Sequence, residues 1–243
     1  ASNKNTVRPG DVVFADVDKL MVHDVSGPGV IKVFEEWSKK GIHLENVWNP
    51  DKIWIAEDHF VPSADRISAE NITKLTDLAK KFGIKKHFKY GLGQYGICHT
   101  LSHEEALVLP GEFYVGGDSH TNTTGALGAL AIGLGHTDIA YAMMNGRIWL
   151  KVPEAMLFKL VGKKPAHIMA KDIILKIISD IGTDGANYKT MEFSGNAVSE
   201  MSMEERLTLT NMTTEAGAKN GVIEPDAVTD EYLRQRTATS YRP

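Results

Sequence analysis

With one cysteine, Cys98, in 243 residues, the chain has no partner for an internal disulfide. A lone thiol fits a reducing compartment, and the cytoplasm is the expected location. Long apolar runs are missing too: the longest, Leu127 to Leu134, is interrupted by Gly128 and Gly133 and is far too short to cross a bilayer. The first ten residues are polar and lack the apolar stretch of a secretory signal, so no membrane partner is expected. Positive charge is in deficit. A net charge of −4 offers no general field for phosphates or anionic lipid, and the arginines are scattered, so nucleic acid is not an expected partner either.

What is present is the composition of an ordinary globular protein, with 42% hydrophobic and 24% charged residues, enough to bury a core without metal or disulfide. The length exceeds that of a usual single core. Two units are expected, 1–153 and 154–243, with Pro153 and the polar stretch Gly162 to Pro165 marking the boundary. Strand-like runs alternate with helical patterns, which predicts an α/β fold with mainly parallel sheets. Val12-Val13-Phe14 and Ile53-Trp54-Ile55 read as buried strands. Val30, Val33, Phe34 and Trp37 lie on one helical face before Gly41, and Ile72, Leu75, Leu78 and Phe82 on another between Ser68 and Gly83. Gly125, Ala129 and Gly133, four apart, predict a tightly packed helix over 125–135. Ile173 to Ile181 is a further helix face. Ser202 with Glu205 forms a capping box opening a helix that should run to about Ala218 and end at Gly221. Residues from Arg234 to Pro243 read as a disordered end.

Four polar clusters are candidates for chemistry: Asp58-His59, His99, Asp118-Ser119-His120-Thr121, and Asn211 with Glu215. Each taken singly also has a structural reading. Neighbours on a strand point to opposite faces, His99 fits a satisfied buried histidine, and Asn211 and Glu215 fit a solvated helix face. The Asp118 run stands out because Phe113-Tyr114-Val115 predicts a strand running into Gly116-Gly117, a place where α/β proteins expose polar groups. An imidazole beside a carboxylate has its protonated form favoured, which suits it to give a proton to a departing hydroxyl near neutral pH. His43, His87 and His167 carry no signal above background.

Five ordered motifs resemble the aconitase superfamily, and within it the dehydratase subgroup that acts on isopropylmalate. They are DVDKLMVHDVSGP (16–28), EDHFVP (57–62), GICHTL (96–101), GDSHT (117–121) with ALGALAIGLGHTD after it, and the segment 191–226. The resemblance runs from Gly10 to about Leu233 and implies three-layer α/β/α domains, the second incomplete. It implies that Asp58 pairs with His59, a candidate acid for the substrate hydroxyl, that His99 pairs with Asp118, and that His120 pairs with Glu215. Ser119 and Asn211 would support substrate and cluster. Pro28 and Thr123 stand where aconitase itself has a glutamine and an asparagine, which points away from citrate.

The family holds a [4Fe-4S] cluster on three cysteines beyond these motifs, so none is expected to be held by this chain, whose only thiol is Cys98. The resemblance thus implies an amino-terminal part of a large subunit, without the cluster-binding third domain and inactive alone. Its partners would be a small subunit carrying a swivelling domain and a small-molecule hydroxy di-acid, in leucine biosynthesis. Homocitrate-type and methylmalate-type substrates remain open. A divalent-metal hydrolase built on the same residues and a non-catalytic RNA-binding relative are readings from other classes.

Overall fold

The computed structural model describes residues 6–241. The first strand, β1 (Val12–Asp16), is followed by β2 (Lys19–His23), α1 (Ser26–Lys39), β3 (Ile53–Ala56), α2 (Arg66–Phe82), β4 (Lys86–Phe88), α3 (Cys98–Glu104) and β5 (Phe113–Gly116). A 3-10 segment, Ser119–Leu127, leads into β6 (Leu130–Gly133), α4 (His136–Asn145) and β7 (Arg147–Lys151). Then come β8 (Ala155–Lys159), α5 (Ala170–Ile181), β9 (Thr190–Ser194), α6 (Asn196–Ser199), α7 (Met203–Asn211), a second 3-10 segment (Met212–Ala216), β10 (Asn220–Ile223) and α8 (Ala227–Arg234).

Five strands form a wholly parallel sheet in the order β4-β3-β2-β5-β6. Alternate side chains go to opposite faces. Leu20, Val22, Ile53, Ile55, Val115 and Ile132 join Leu75, Leu78 and Phe82 of α2 and Ile139 and Met143 of α4 in one core. Met21, Trp54, Ala56, Tyr114 and Ala131 pack on the other side against Cys98 and Leu101 of α3. This gives the three layers. The α2 helix is bounded by Asp65, whose side chain accepts from the Ser68 amide, and by Gly83 in the left-handed conformation. Three parallel strands, β10-β9-β8, form a second sheet whose core includes Ile174, Ile177, Met191 and Phe193.

Several expectations are corrected. The strand at Val12–Phe14 is not buried on both sides. It pairs antiparallel with β7 in a two-stranded ribbon, with Val13 and Ala15 packed inward and Val12 and Phe14 largely exposed. The central strand of the main sheet is β2. The stretch 125–135 is not a helix: Gly128, at φ +81°, ends the 3-10 segment, and the chain turns into β6. Its small residues serve close approach instead, since a Cβ on Gly125 would lie 1.7 Å from the Gly221 carbonyl oxygen. The helix opened by Ser202 tightens to 3-10 geometry after Asn211 and ends at Gly217, φ +79°, while Gly221 belongs to β10. The final stretch is partly ordered, because α8 continues to Arg234 and the Tyr241 hydroxyl contacts Asp230. Residues 242 and 243 lie outside the described residues.

Candidate active site

The chain passes from β2 through β3 to β4 on one side of the sheet, then returns to place β5 and β6 on the other. The carboxyl ends of β2 and β5 therefore flank a topological switch point, the place where open parallel sheets collect ligands. The loops after four of the five strands bring a polar residue to that edge. His23 ends β2, Asp58 and His59 follow β3, His99 opens α3 after β4, and Asp118 follows β5. The turn after β5 closes tightly: a Cβ on Gly117 would meet Ser26 Oγ at 2.4 Å.

The loops are pinned to one another by hydrogen bonds. Asp24, fully buried, accepts from the amides of His59 at 3.1 Å and Phe60 at 2.6 Å, which fixes the β3 loop. Asp58 Oδ1 lies 2.7 Å from His59 Nδ1, and its Oδ2 accepts from the Cys98 amide at 2.6 Å, drawing in the start of α3. At the second position of that helix, His99 Nε2 reaches Asp118 Oδ1 at 2.9 Å. Asp118 also caps its own 3-10 segment by accepting from the His120 amide at 2.8 Å. His120 Nε2 meets Glu215 Oε1 at 3.0 Å, and Ser119 Oγ lies 3.2 Å from His120 Nδ1. Asn211 donates to Thr123 Oγ1 at 2.8 Å, and Thr214 donates to the Ser119 carbonyl at 2.9 Å, tying the second 3-10 segment to the first. The structure thus brings the three imidazole–carboxylate pairs together, with Ser119 and Asn211 beside them.

Asp118 proves to be more than the partner of His99. Its Oδ2 is 3.3 Å from His23 Nε2 and 3.6 Å from His59 Nε2, and its Oδ1 is 3.9 Å from His120 Nδ1. Four imidazoles surround one carboxylate. The sequence reading assigned no role to His23 or Asp24; the available signal was the His-Asp pair at the end of a strand, inside a motif already singled out. His87, read as background, lies 2.9 Å from the buried Glu57, but it is no acid at neutral pH, because burial and then Lys89 push it down to about 4.

Electrostatics sorts these groups. Burial alone would raise Asp118, yet hydrogen bonds from His23, His99 and the His120 amide hold it well below the usual carboxylate range. Asp58 is likewise lowered: burial opposes its charge, but the Cys98 amide and His59 outweigh it. For His59 burial works against the cation, and the Asp58 hydrogen bond with the charges of Asp58, Asp118 and Asp24 overcomes it, so its pKa is raised. The side chains of His59 and His120 are 39% and 33% exposed while that of Asp58 is 4% exposed, so two imidazoles can reach a substrate with carboxylates held behind or beside them. A cavity of about 360 Å³ lined by Thr123, Lys171 and Asn211 opens at His99.

Donor atoms of His23, Asp24, Asp58 and His59, and of His99, Asp118 and His120, gather within 4.8 Å. Most are already engaged with one another or with backbone amides. Cys98 is fully buried, and burial together with Asp58 pushes its thiol far above the ordinary value, so it is no ready thiolate. The residues of this chain do not fit an iron–sulfur cluster as ligands. No helix among the described residues is long and apolar enough to cross a membrane.

The sequence model of the aconitase family (aconitate hydratase) matches residues 2–242. Proteins named 3-isopropylmalate dehydratase large subunit are similar throughout: 46% identity over 99% of this chain and 54% of the relative in Caldicellulosiruptor saccharolyticus. The Pyrococcus furiosus large subunit 1 shows 45% identity over 99% and 55%. The chloroplastic one of Arabidopsis thaliana shows 43% over 100% and 49%. The chain spans about half the length of these relatives. A crystal structure of Thermococcus kodakaraensis aconitase X in its holo-form superposes on 93% of this chain and 55% of that chain with a TM-score of 0.50 at 14% identity, a likeness of fold. With a family model covering nearly all of its length and three imidazole–carboxylate pairs at the switch point of a parallel sheet, the chain belongs to the aconitase family.

Proposed function

We propose that this chain supplies the proton-handling half of a hydro-lyase site, in the large subunit of an isopropylmalate dehydratase, acting on a hydroxy di-acid in leucine biosynthesis. The observation that carries the reading is the convergence of His59, His99 and His120 with Asp58, Asp118 and Glu215 on one sheet edge. Dehydration breaks a C–O bond and a neighbouring C–H bond and forms the C=C bond between them. The departing hydroxyl takes one proton and leaves as water, and rehydration at the adjacent carbon reverses the sequence. His59 is the acid of choice, since Asp58 holds a proton on Nδ1, the ring is half exposed and its cationic form is favoured. His120, held at Nε2 by Glu215, would hydrogen-bond the same hydroxyl through Nδ1 by exchanging its 3.2 Å contact with Ser119 Oγ.

The family resemblance assigns a [4Fe-4S] cluster to the complete enzyme. Cys98 does not fit that role, so its ligands would come from outside this sequence, and no step is derived through it. A general base and the pocket for the substrate side chain fall by the same resemblance to a small subunit. The reading is tested in the full-length subunit assembled with cluster and small subunit. His120→Ala is expected to lower turnover about 10²–10⁴-fold with little change in folding stability, the usual worth of acid–base help in a transition state. Unchanged turnover in that variant would remove His120 from the reaction.

A further inference from the structure

His23 is 1% exposed and has no part in the proton steps above, yet it lies at the centre of the network. Its Nδ1 accepts from the Val25 amide at 3.0 Å and lies 3.4 Å from that of Ser26, so the imidazole caps a helix, α1, that lacks a side-chain cap from Val25 itself. An acceptor at Nδ1 leaves the proton of the neutral ring on Nε2. That N–H faces Asp118 Oδ2 at 3.3 Å, a long and weak hydrogen bond, and has no other partner among the described residues. The ring lies flat on that of His59, with centroids 4.5 Å apart and planes 15° apart. His59 Nε2 is itself only 3.6 Å from the same oxygen.

We propose that His23 is a positioning residue that occupies Asp118 Oδ2, so that His59 Nε2 is kept out of a closed ion pair and remains free to face the cleft. An imidazolium locked between Asp58 on one nitrogen and Asp118 on the other has no proton left to aim at a substrate. Stacking on His59 holds the His23 N–H 3.3 Å from the oxygen that would drive that lock, so a donor already faces it. The groups facing His59 are Asp58 on its own loop, His23 and Asp24 from the β2–α1 turn, and Asp118 after β5, itself held by His99 of α3. The inference deepens the reading of His59 as the acid and rests on it.

The test is a titration of His59 by NMR on the 243-residue chain labelled in histidine. It requires no turnover, so its failure is separable from failure of the functional reading. His23→Asn keeps an acceptor for the Val25 amide but is too short to reach Asp118, whereas His23→Gln carries an amide donor to the place of Nε2. With the donor gone, His59 should close onto Asp118. In His23→Asn its midpoint is expected to rise by about one pH unit, about tenfold in proton affinity. In His23→Gln it should stay within about 0.3 unit of the parent. If the asparagine variant fails to fold, His23→Phe, which keeps the stacked ring and lacks the donor, must show the same rise. An unmoved or lowered midpoint in a folded donor-free variant, or a glutamine variant that moves as far, overturns the proposal.

Discussion

At the scale of single residues, Asp118 is the group on which most depends. It is flanked by four imidazoles and held deprotonated by His23, His99 and the His120 amide despite burial. Asp118→Asn removes the charge and leaves those donors without it, a change expected to cost about 3 kcal/mol in urea unfolding at pH 7. It should also lower the His59 midpoint, because one of the charges that raises it is gone. A stability loss below about 0.5 kcal/mol would show that the carboxylate is not the hub its contacts indicate. His103, in contrast, is a buried structural base. Burial, with Arg236 adding to it, pushes it down to about 4, and its Nδ1 lies 2.6 Å from the Tyr232 hydroxyl. Its folded pKa is below that of the unfolded chain, so as pH falls from about 6.5 to about 4 the unfolded state binds the proton first and stability is lost; above that window the loss vanishes. His103→Gln should make the decline in unfolding free energy between pH 7 and 4.5 shallower by about 2 kcal/mol. An equally steep decline would contradict that assignment.

At the scale of elements, some helix ends could be read from sequence, and some element types could not. Gly83 and the Ser202–Glu205 capping box act through local chemistry, so the ends they mark are where the pattern puts them. The stretch 125–135 failed because small residues spaced four apart are equally what a close crossing requires. Thr210 and Asn211 bond Thr123, and Asn122 bonds Thr213 and Thr214, so the two 3-10 segments lock face to face and helical continuity yields to those long-range bonds. Gly125→Ala tests this seam. Its Cβ would run into backbone at Gly221 rather than a movable side chain, so a loss of about 3 kcal/mol or failure to fold is expected in thermal or urea unfolding. A neutral or stabilising substitution, as in a true helix interior, would show that the segments do not meet so closely.

At the scale of the whole molecule, the five motifs located the loops, but their sharing of one carboxylate depended on strand order, which no local pattern records. Only when β5 lies beside β2 do the ends of β2, β3 and β5 bring His23, His59 and Asp118 together. The same scale separates folding from metal chemistry. Buried apolar side chains make up the cores on both faces of the main sheet, whereas the sequence offers a single buried thiol. The central claim is that this chain carries the acid–base groups of a dehydratase and not the ligands of its cluster. Anaerobic reconstitution of the 243-residue chain with iron and sulfide, followed by visible absorption, tests it most directly. The account predicts a folded protein with no stoichiometric cluster absorption; a stoichiometric cluster bound to this chain alone would contradict it.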